Sequence, residues 1–410
     1  MKIAIIGAGF TGLSAGYFLS QKGVDVAIFE KESFSGGLAA SYSVESWRWP
    51  LEQHYHHLFT SDYEIKKLAR ALGVKINYRR VKTSNLTDNG YFPLDSPLGL
   101  LLYPKLNCLD KIRTGFTLLV LKLLPFQKSL EKITAKTFIL KCMGGKSWKV
   151  IWQPLFEGKF GLDANKIPAI WFWARIKKRS SYLGYPKGGF ANLITKIIQV
   201  IKNQGGKIYF NQKVVSYKRE GKSFRLTYVR NGKLTTEIFD RVVSTIPTGK
   251  IKSLGITNLL LRLNRSFLPD KIYWLNIGLK NFSFLSIVEH TNLISSQYYN
   301  SEHLVYVGKY LPKNHPDFSL TKDALLIKYD KDLTKIRPDY KKSVIDFEIF
   351  KSPYAQPIIP LNYSSIIQPL KTKIPGLYQA SMEQVYPWDR GTNYAVALGK
   401  KVADEIIKQR

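Results

Sequence analysis

The first thirty residues, MKIAIIGAGF TGLSAGYFLS QKGVDVAIFE (residues 1–30), decide the fold of this chain. Residues 2–6 form an apolar, β-branched run that is typical of a buried parallel strand. The next glycines have the spacing G-x-G-x-x-G, and a helix with an apolar period follows until Gly23. Residues 24–29 are a second apolar strand, and Glu30 stands at its end. This order predicts a β-α-β unit whose glycine-rich turn binds a dinucleotide.

The glycines of this motif have separate physical roles. Gly7 permits the tight turn, Gly9 lets the backbone approach a pyrophosphate, and Gly12 lets the helix pack closely on the strand. The helix N-terminus offers unpaired N–H groups and a partial positive charge to the phosphates. The Glu30 carboxylate can accept hydrogen bonds from both ribose hydroxyls, and it would repel the 2′-phosphate of NADP. A second pair, Gly36-Gly37, suits a cofactor that runs further along the surface, such as FAD.

The composition is that of a globular protein. The chain has 410 residues, 45% of them hydrophobic and 22% charged, which is enough for two domains with sizeable cores. Its two cysteines indicate neither a disulfide framework nor a thiol redox centre, so we expect a reducing cytoplasm. Because Met1 leads directly into the first strand, we expect no signal peptide.

The charge is strongly basic. A net charge of +32 indicates an anionic substrate, nucleic acid or an anionic membrane surface as a partner. The lysines are spread along the whole chain, so a general compositional bias is an equally open explanation. No nucleic-acid module is recognisable, and we expect no nucleic-acid partner. No metal-ligand spacing, nucleophile elbow or P-loop lysine occurs, so we expect no metal.

Two segments after the dinucleotide motif carry candidate site residues. Residues 41–60 are rich in aromatic side chains and contain His54, His56 and His57. Such rings either pack in a core or line an active site, and the sequence leaves both open. Residues 61–64 then match a capping box at the start of a helix.

Residues 75–184 are mostly helical by pattern and unusually apolar. The most apolar stretches, 98–102 and 116–126, are shorter than the roughly 20 residues that span a bilayer. We interpret them as part of a buried helical subdomain, and the alternative is a lysine-flanked surface that dips into an anionic membrane. Aromatic residues at 148–160 and 171–173 are followed by basic residues from Arg175 onward, and such a set could hold a planar or anionic ligand or cap a core.

The remaining chain alternates between strands and helices. A helix opens at Gly188-Gly189, the loop 386–393 ends in a helix cap, and residues 394–407 form an apolar-periodic helix. Strands are predicted at 207–210, 214–215, 224–228, 235–239, 240–247, 273–279, 284–288, 304–310, 324–329, 345–350 and 376–380.

Four separated segments together resemble a known superfamily of flavoenzymes. They are residues 6–13 with Glu30 and Gly36-Gly37, residues 188–215, residues 240–247 and residues 376–399. The chain resembles FAD-dependent amine oxidases, protoporphyrinogen oxidases and phytoene desaturases, and more distantly UDP-galactopyranose mutases.

The resemblance implies an α/β fold of two domains. A Rossmann-like FAD-binding domain, with a parallel sheet and a β-meander, would comprise residues 1–60, 185–250 and 370–410. It would be interrupted by a substrate domain of helices on a mainly antiparallel sheet, comprising residues 61–184 and 251–369.

The resemblance also implies which residues form the site. Val215 would meet the adenine through its backbone, and Thr392 and Asn393 would start the helix that faces the flavin pyrimidine. The residues expected at FAD are Gly7, Gly9, Phe10, Thr11, Gly12, Glu30, Lys31, Gly36, Gly37, Leu38, Val215, Gly391, Thr392 and Asn393. The rings expected at the flavin face, as catalytic candidates, are His54, His56, His57, Tyr386 and Trp388. Leu38 stands where many members have arginine, and Ala380-Ser381 stand where many have Gly-Asp or Gly-Glu.

We therefore predict an FAD-dependent oxidoreductase that takes a hydride from a C–N or C–C bond of an anionic or lipophilic small molecule. It would be cytoplasmic or peripheral at the inner face of the membrane. One alternative is a sugar-nucleotide mutase that works with reduced flavin. Another is a flavoprotein that binds a membrane surface without turnover. There is no second G-x-G-x-x-G, so an additional domain for NADH is not expected.

Overall fold

The structure, a computed structural model, describes residues 1–279 and 281–409. Lys280 and Arg410, which fall inside the predicted domain ranges, lie outside the described residues. The described residues form strands β1 to β20, with the bounds Lys2–Ile6, Asp25–Phe29, Ser41–Tyr42, Leu51–Glu52, Leu58–Phe59, Ile76–Arg80, Lys82–Thr87, Gly90–Pro93, Tyr182–Pro186, Lys207–Tyr209, Val214–Glu220, Ser223–Arg230, Lys233–Phe239, Arg241–Ser244, Ser253–Leu263, Ile272–Ile277, Ser286–Glu289, His303–Pro312, Val344–Pro357 and Leu377–Gln379. Their α-helices, α1 to α11, are Phe10–Ser20, Tyr63–Ala71, Pro97–Leu101, Cys108–Leu123, Ala135–Cys142, Gly145–Ser147, Gln153–Phe160, Ala169–Lys178, Gly189–Asn203, Lys322–Ile336 and Thr392–Ile407.

The dinucleotide unit is built on a five-stranded parallel sheet with the order β10-β2-β1-β14-β20. The apolar run at 2–6 is the central strand β1, and Ile3 to Ile6 are all buried there. The antiparallel meander β11-β12-β13 accompanies this sheet. The predicted fold class is therefore confirmed, including the return of the chain to the first sheet at 240–247 and 376–380.

The second large sheet has seven strands in the order β19-β15-β18-β17-β16-β7-β8. Its pairings are antiparallel except for β16 with β7. Its strands come from residues 82–93 and 253–357, both within the ranges predicted for the substrate domain. The predicted boundaries of the two domains stay a prediction.

One predicted strand is wrong. Residues 324–329 belong to helix α10, because Thr321 accepts a hydrogen bond from the Ala324 N–H and starts a helix there. Leu325, Tyr329 and Leu333 are buried at a spacing of four residues, which is a helical period. The prediction that residues 75–184 are mostly helical is also incomplete, since β6, β7 and β8 occupy its beginning.

The interpretation of the most apolar stretches as buried is wrong as well. In α4, the side chains of Leu109, Ile112, Phe116, Leu119 and Leu123 are 56–71% exposed. The opposite face of α4 is the one that packs inward, through Thr114, Thr117 and Leu121. The aromatic segments at 148–160 and 171–173 do contribute to a core.

The capping box predicted at 61–64 does not form. Ser61 instead donates its hydroxyl to the carbonyl of Lys178, and Asp62 is the N-cap residue without a side-chain capping bond. The N-terminus of α2 is capped from a distance, since the Asn393 side chain accepts from the N–H groups of Glu64 and Ile65.

Candidate cofactor and substrate site

The glycine-rich turn has the geometry that a pyrophosphate needs. Gly7 has a φ of 102°, and a Cβ on Gly12 would collide with the carbonyl oxygen of Gly7. Helix α1 begins at Phe10, and its N-cap residue Gly9 makes no side-chain capping bond. The first N–H groups of α1 are therefore directed at the turn, where an anion is stabilised.

The second glycine pair lies directly beside this turn. Gly36 pairs with Gly9 in a parallel bridge, and its N–H donates to the carbonyl of Ala8 at 2.9 Å. A Cβ on Gly9 would meet only the Cα of Gly37, at 3.9 Å. Two glycine segments thus face each other here, the turn at Gly7 and Gly9 and the pair Gly36-Gly37, and we call them the cradle. Because glycines have no side chains, the cradle fits the pyrophosphate of a dinucleotide such as FAD.

Glu30 is fixed at the edge of the cradle. Its carboxylate accepts from the N–H of Ala8 at 2.8 Å and from the N–H of Glu32 at 3.0 Å. Two further lone-pair positions of the carboxylate can serve ribose hydroxyls. Lys31 is exposed and forms an ion pair with Glu32.

The predicted adenine contact lies at an irregularity of the meander. The pairing of β11 with β12 slips between Val214 and Ser216, so Val215 is the extra residue of a β-bulge. Bulged residues leave backbone groups outside the ladder. Val215 is also half exposed, so its backbone can be reached by a purine.

At the C-terminal helix, the predicted residues divide into two roles. Gly391 precedes α11, and Thr392 and Asn393 form its buried first turn. The Asn393 side chain is committed to the N-terminus of α2. The side-chain oxygen of Asn393 is thus occupied, so a contact of Asn393 with a cofactor would use its amide NH2 group or its backbone.

A small cavity lies beside the cradle. Its lining contains three of the predicted site residues, Leu38, His54 and His56, and also Arg390, which the sequence analysis did not single out. The other lining residues are Tyr55, Ile256 and Ala355. The structure thus brings together the segment after the second glycine pair, the histidine segment and the loop before α11.

The three histidines are all held in their neutral form. Burial lowers the pKa of His54 to about 3, of His56 to about 4 and of His57 to about 3. His56 Nδ1 lies 2.6 Å from the carbonyl oxygen of His54. A carbonyl only accepts, so this Nδ1 carries the proton and Nε2 is the acceptor nitrogen of the ring.

His57, Tyr386 and Trp388 do not line the cavity. His57 Nδ1 lies 3.1 Å from the Tyr273 hydroxyl, and Tyr386 packs edge-on against Tyr363. Trp388 lies between Trp173 and Tyr394, with ring centroids 5.4 and 6.0 Å away. Their place at a flavin face stays a prediction.

A partly buried charged group lies next to the cavity, and Arg175 is the only one of its members that the sequence analysis singled out. Asp389 accepts from Lys159 Nζ at 2.9 Å and from Arg175 Nη1 at 2.8 Å, and Trp171 Nε1 donates to its other oxygen at 3.2 Å. We call Lys159, Arg175, Asp389 and Arg390 the Asp389 cluster. Two signals were available in the sequence, namely the basic residues from Arg175 onward and the acid–base pair 389–390 directly before the predicted helix cap.

Burial and charge act against each other in this cluster. Burial lowers the pKa of Lys159 to about 7, although the Asp389 carboxylate opposes that shift. Burial would raise the pKa of Asp389, but the charges of Lys159, Arg175 and Arg390 hold it well below its usual range. Asp389 is therefore ionised at neutral pH.

Across residues 1–279 and 281–409, no three His, Cys, Asp or Glu side chains are grouped so that they could hold a metal ion. In the same ranges, none of the helices combines the length and the hydrophobicity of a membrane span.

Fold and site define a class of protein that binds a dinucleotide at the glycine-rich edge of a parallel sheet and has a ring-lined cavity beside it. Residues 10–407 match the family described as flavin containing amine oxidoreductase. The chain belongs to this family, and FAD is its cofactor.

Similarity to individual proteins agrees with this membership. Coproporphyrinogen III oxidase of Staphylococcus aureus is 27% identical over 287 residues, which is 60% of either chain. Zeta-carotene desaturase of Synechocystis sp. is 26% identical over 248 residues, which is 53% of this chain and 50% of the desaturase. This chain thus spans only 60% and 50% of the length of these curated relatives.

The fold is shared with solved structures over its whole length. An Exiguobacterium protein suggested to be a protoporphyrinogen oxidase has a TM-score of 0.79 and covers 100% of this chain and 99% of its own. The two sequences are 16% identical, so this likeness concerns the fold alone.

Proposed function

We propose that this protein is an FAD-dependent oxidoreductase that removes a hydride from a C–N or C–C bond of a small molecule. The substrate would meet the flavin at the residues that line the cavity, which by itself has a volume of about 10 Å³ and holds no more than one water molecule. The observation that carries the proposal is the convergence of Leu38, His56 and Arg390 on one cavity next to the paired glycine segments. Bound FAD supplies an acceptor for the two electrons that leave with the hydride.

The residues around the cavity would orient the substrate and exclude water. The Tyr55 and Tyr310 hydroxyls lie 3.3 Å apart, and the Arg390 guanidinium donates to Tyr310. His56 Nε2 can accept a hydrogen bond from a substrate N–H or O–H group, since the ring is neutral at pH 7. Exclusion of water strengthens the electrostatic interactions of these polar groups at the reacting bond.

The names of the curated relatives limit the class of substrate that we propose. By their names, the curated relatives are an oxidase of a coproporphyrinogen and a desaturase of zeta-carotene. We therefore favour a large substrate with a conjugated or ring-shaped skeleton over a small primary amine.

The test begins with the purified protein's absorbance spectrum and the identity of the released nucleotide. Anaerobic mixing with porphyrinogens, carotenoid precursors and amines should bleach the visible flavin band for at least one class. Protein that carries FAD but bleaches with none of these, and turns over a sugar nucleotide only after reduction with dithionite, would support the mutase instead.

We further propose that the protein works at an anionic membrane surface. The five apolar side chains of α4 named above follow the spacing i, i+3, i+7, i+10, i+14, so they form one outward-facing stripe. Three leucines of α3 and its end, Leu98, Leu101 and Leu102, are exposed as well. Exposed apolar surface of this kind marks a site of interaction.

Charge favours lipid over a second copy as the occupant of this surface. Lys105, Lys111, Arg113 and Lys122 flank the stripe, and the whole chain carries +32. Two such chains repel each other, whereas anionic headgroups attract them. A helix that lies in the interface with its apolar face in the lipid would account for both features.

Vesicle sedimentation tests this second proposal. Vesicles of phosphatidylglycerol mixed with phosphatidylcholine should retain the protein, and binding should weaken with salt. Equal binding to pure phosphatidylcholine at low salt would contradict the electrostatic part, and dimerisation without lipid binding would assign the stripe to a second copy.

A further inference from the structure

The Asp389 cluster holds more positive than negative charge inside the protein. Two cations, Arg175 and Arg390, surround the Asp389 carboxylate together with Lys159, whose pKa of about 7 leaves it half protonated at neutral pH. In the part of the chain that the structure describes, Asp389 is the one carboxylate in ion-pair contact with any of the three. The side chains of Lys159 and Asp389 are only 12% and 16% exposed, so solvent screens them weakly.

Aromatic rings next to the cluster compensate its excess positive charge only in part. Lys159 Nζ lies 5.0 Å from the Trp171 ring centre and 5.7 Å from that of Tyr310. The Arg390 guanidinium lies 5.4 Å from the Tyr310 ring centre. Such contacts contribute roughly 0.5–2 kcal/mol, which is less than the several kcal/mol that each buried ion loses in hydration.

The cluster is open at one end and adjoins the cavity at the other. Arg175 is 37% exposed, and next to it Lys178 Nζ lies 4.5 Å from the centre of the Trp388 ring. Arg390 lines the cavity with Leu38 and His56. Basic side chains therefore lead from the surface to the place where the proposed substrate would be oxidised.

We propose that Lys159, Arg175 and Arg390 bind an oxyanion of the substrate, a carboxylate or a phosphate, and thereby position the substrate beside the cofactor. The proposal rests on the oxidoreductase function proposed above. Arginine and lysine side chains on aromatic walls suit such a group, because the cations donate several hydrogen bonds and the rings hold the skeleton attached to it. Asp389 would keep the three basic side chains in place until the substrate adds the missing negative charge.

The test uses the FAD-loaded protein and two probes, benzoate and inorganic phosphate, at constant ionic strength. Binding is followed by calorimetry and by the visible flavin spectrum. Lys159→Met and Arg175→Gln should each weaken binding of at least one probe about tenfold, because each removes a charged donor.

The matched control is Lys202→Gln, which removes one exposed charge near the end of α9, a helix that contributes no residue to the cluster. It should bind the probe like the parent. Equal binding by the parent, Arg175→Gln and Lys202→Gln would show that the anion is attracted only by the general charge and would overturn the proposal.

The oxidoreductase function and the oxyanion site can be disproved independently of each other. Calorimetry measures anion binding without turnover, so it tests the oxyanion site even if no substrate bleaches the flavin. Conversely, flavin reduction by an uncharged substrate, unaffected by Arg175→Gln, would keep the oxidoreductase and remove the oxyanion site.

Discussion

The side-chain oxygen of Asn393 lies 2.9 Å from the backbone nitrogen of Glu64 and 3.2 Å from that of Ile65. One residue of the C-terminal helix thus caps α2. Ile65 lies 328 residues before Asn393 in the chain. Asn393→Ala should lower the free energy of unfolding by about 1 kcal/mol, the usual cost of a lost cap. Asn393→Asp keeps the acceptor and should keep most of the stability. Urea unfolding measures both, and faster hydrogen exchange at Glu64 and Ile65 in the alanine variant alone would locate the effect.

The glycines of the cradle should separate folding from cofactor binding. Gly9→Val should fold normally but purify colourless, because a side chain there meets no close protein atom and blocks only a pyrophosphate. Gly12→Ala should destabilise the protein itself by about 1–3 kcal/mol, since its Cβ meets the Gly7 carbonyl. Gly145→Ala, a helical position with open space, is the control and should stay yellow. A folded Gly9→Val protein with full FAD content would contradict the cradle assignment.

Glu52 should make stability depend on pH. Burial raises the pKa of this carboxyl from 4.5 to about 7, although Tyr185 and the Phe190 N–H donate to it. Between these pH values the native state binds more protons than the unfolded chain. The protonated Glu52 carboxyl therefore contributes its full stabilisation below about pH 4.5, and this stabilisation is lost as the pH rises through 7.

Glu52→Gln should remove this dependence. From pH 5 to pH 8 the parent should lose stability relative to the variant, by on the order of 3 kcal/mol at most. Thermal unfolding across this range measures it, with the exposed Glu45→Gln as the control. Parallel curves for the parent and Glu52→Gln would disprove the assignment.

The apolar stripe of α4 should be needed for vesicle binding. Phe116→Asp should reduce sedimentation with phosphatidylglycerol-containing vesicles strongly, because it puts a charge where the side chain enters lipid. Ile327→Asp is the matched control, since Ile327 is an equally exposed apolar residue on α10. If both variants bind like the parent, the stripe is not the contact surface.

His56 and His57 should differ in their effect on the flavin. His56→Ala should keep FAD but alter its visible spectrum or the rate of its reduction by substrate, because His56 lines the cavity. His57→Ala should leave both unchanged, since that ring contacts Tyr273 and Trp274 instead. If His57→Ala altered the flavin and His56→Ala did not, the substrate would be placed on the His57 side of this segment.

The sequence by itself determined the dinucleotide unit and with it the family. Strand β1, the glycine turn and Glu30 follow from local periods and from the conformational freedom of glycine, which act over a few residues. The same local signals led to the error at 324–329, where a short apolar run suited a strand and a helix alike.

Only the tertiary structure decided the rest of the site. Lys159 and Arg175 both lie more than 200 residues before Asp389 in the chain yet donate to its carboxylate, and no spacing in the sequence records such a contact. The apolar stripe of α4 is visible in the sequence, but its direction is not, because the period of a helix says which residues share a face and not which face the core covers. The capping of α2 by Asn393 is of the same kind, since a backbone N–H donates to any suitable oxygen that folding brings within reach.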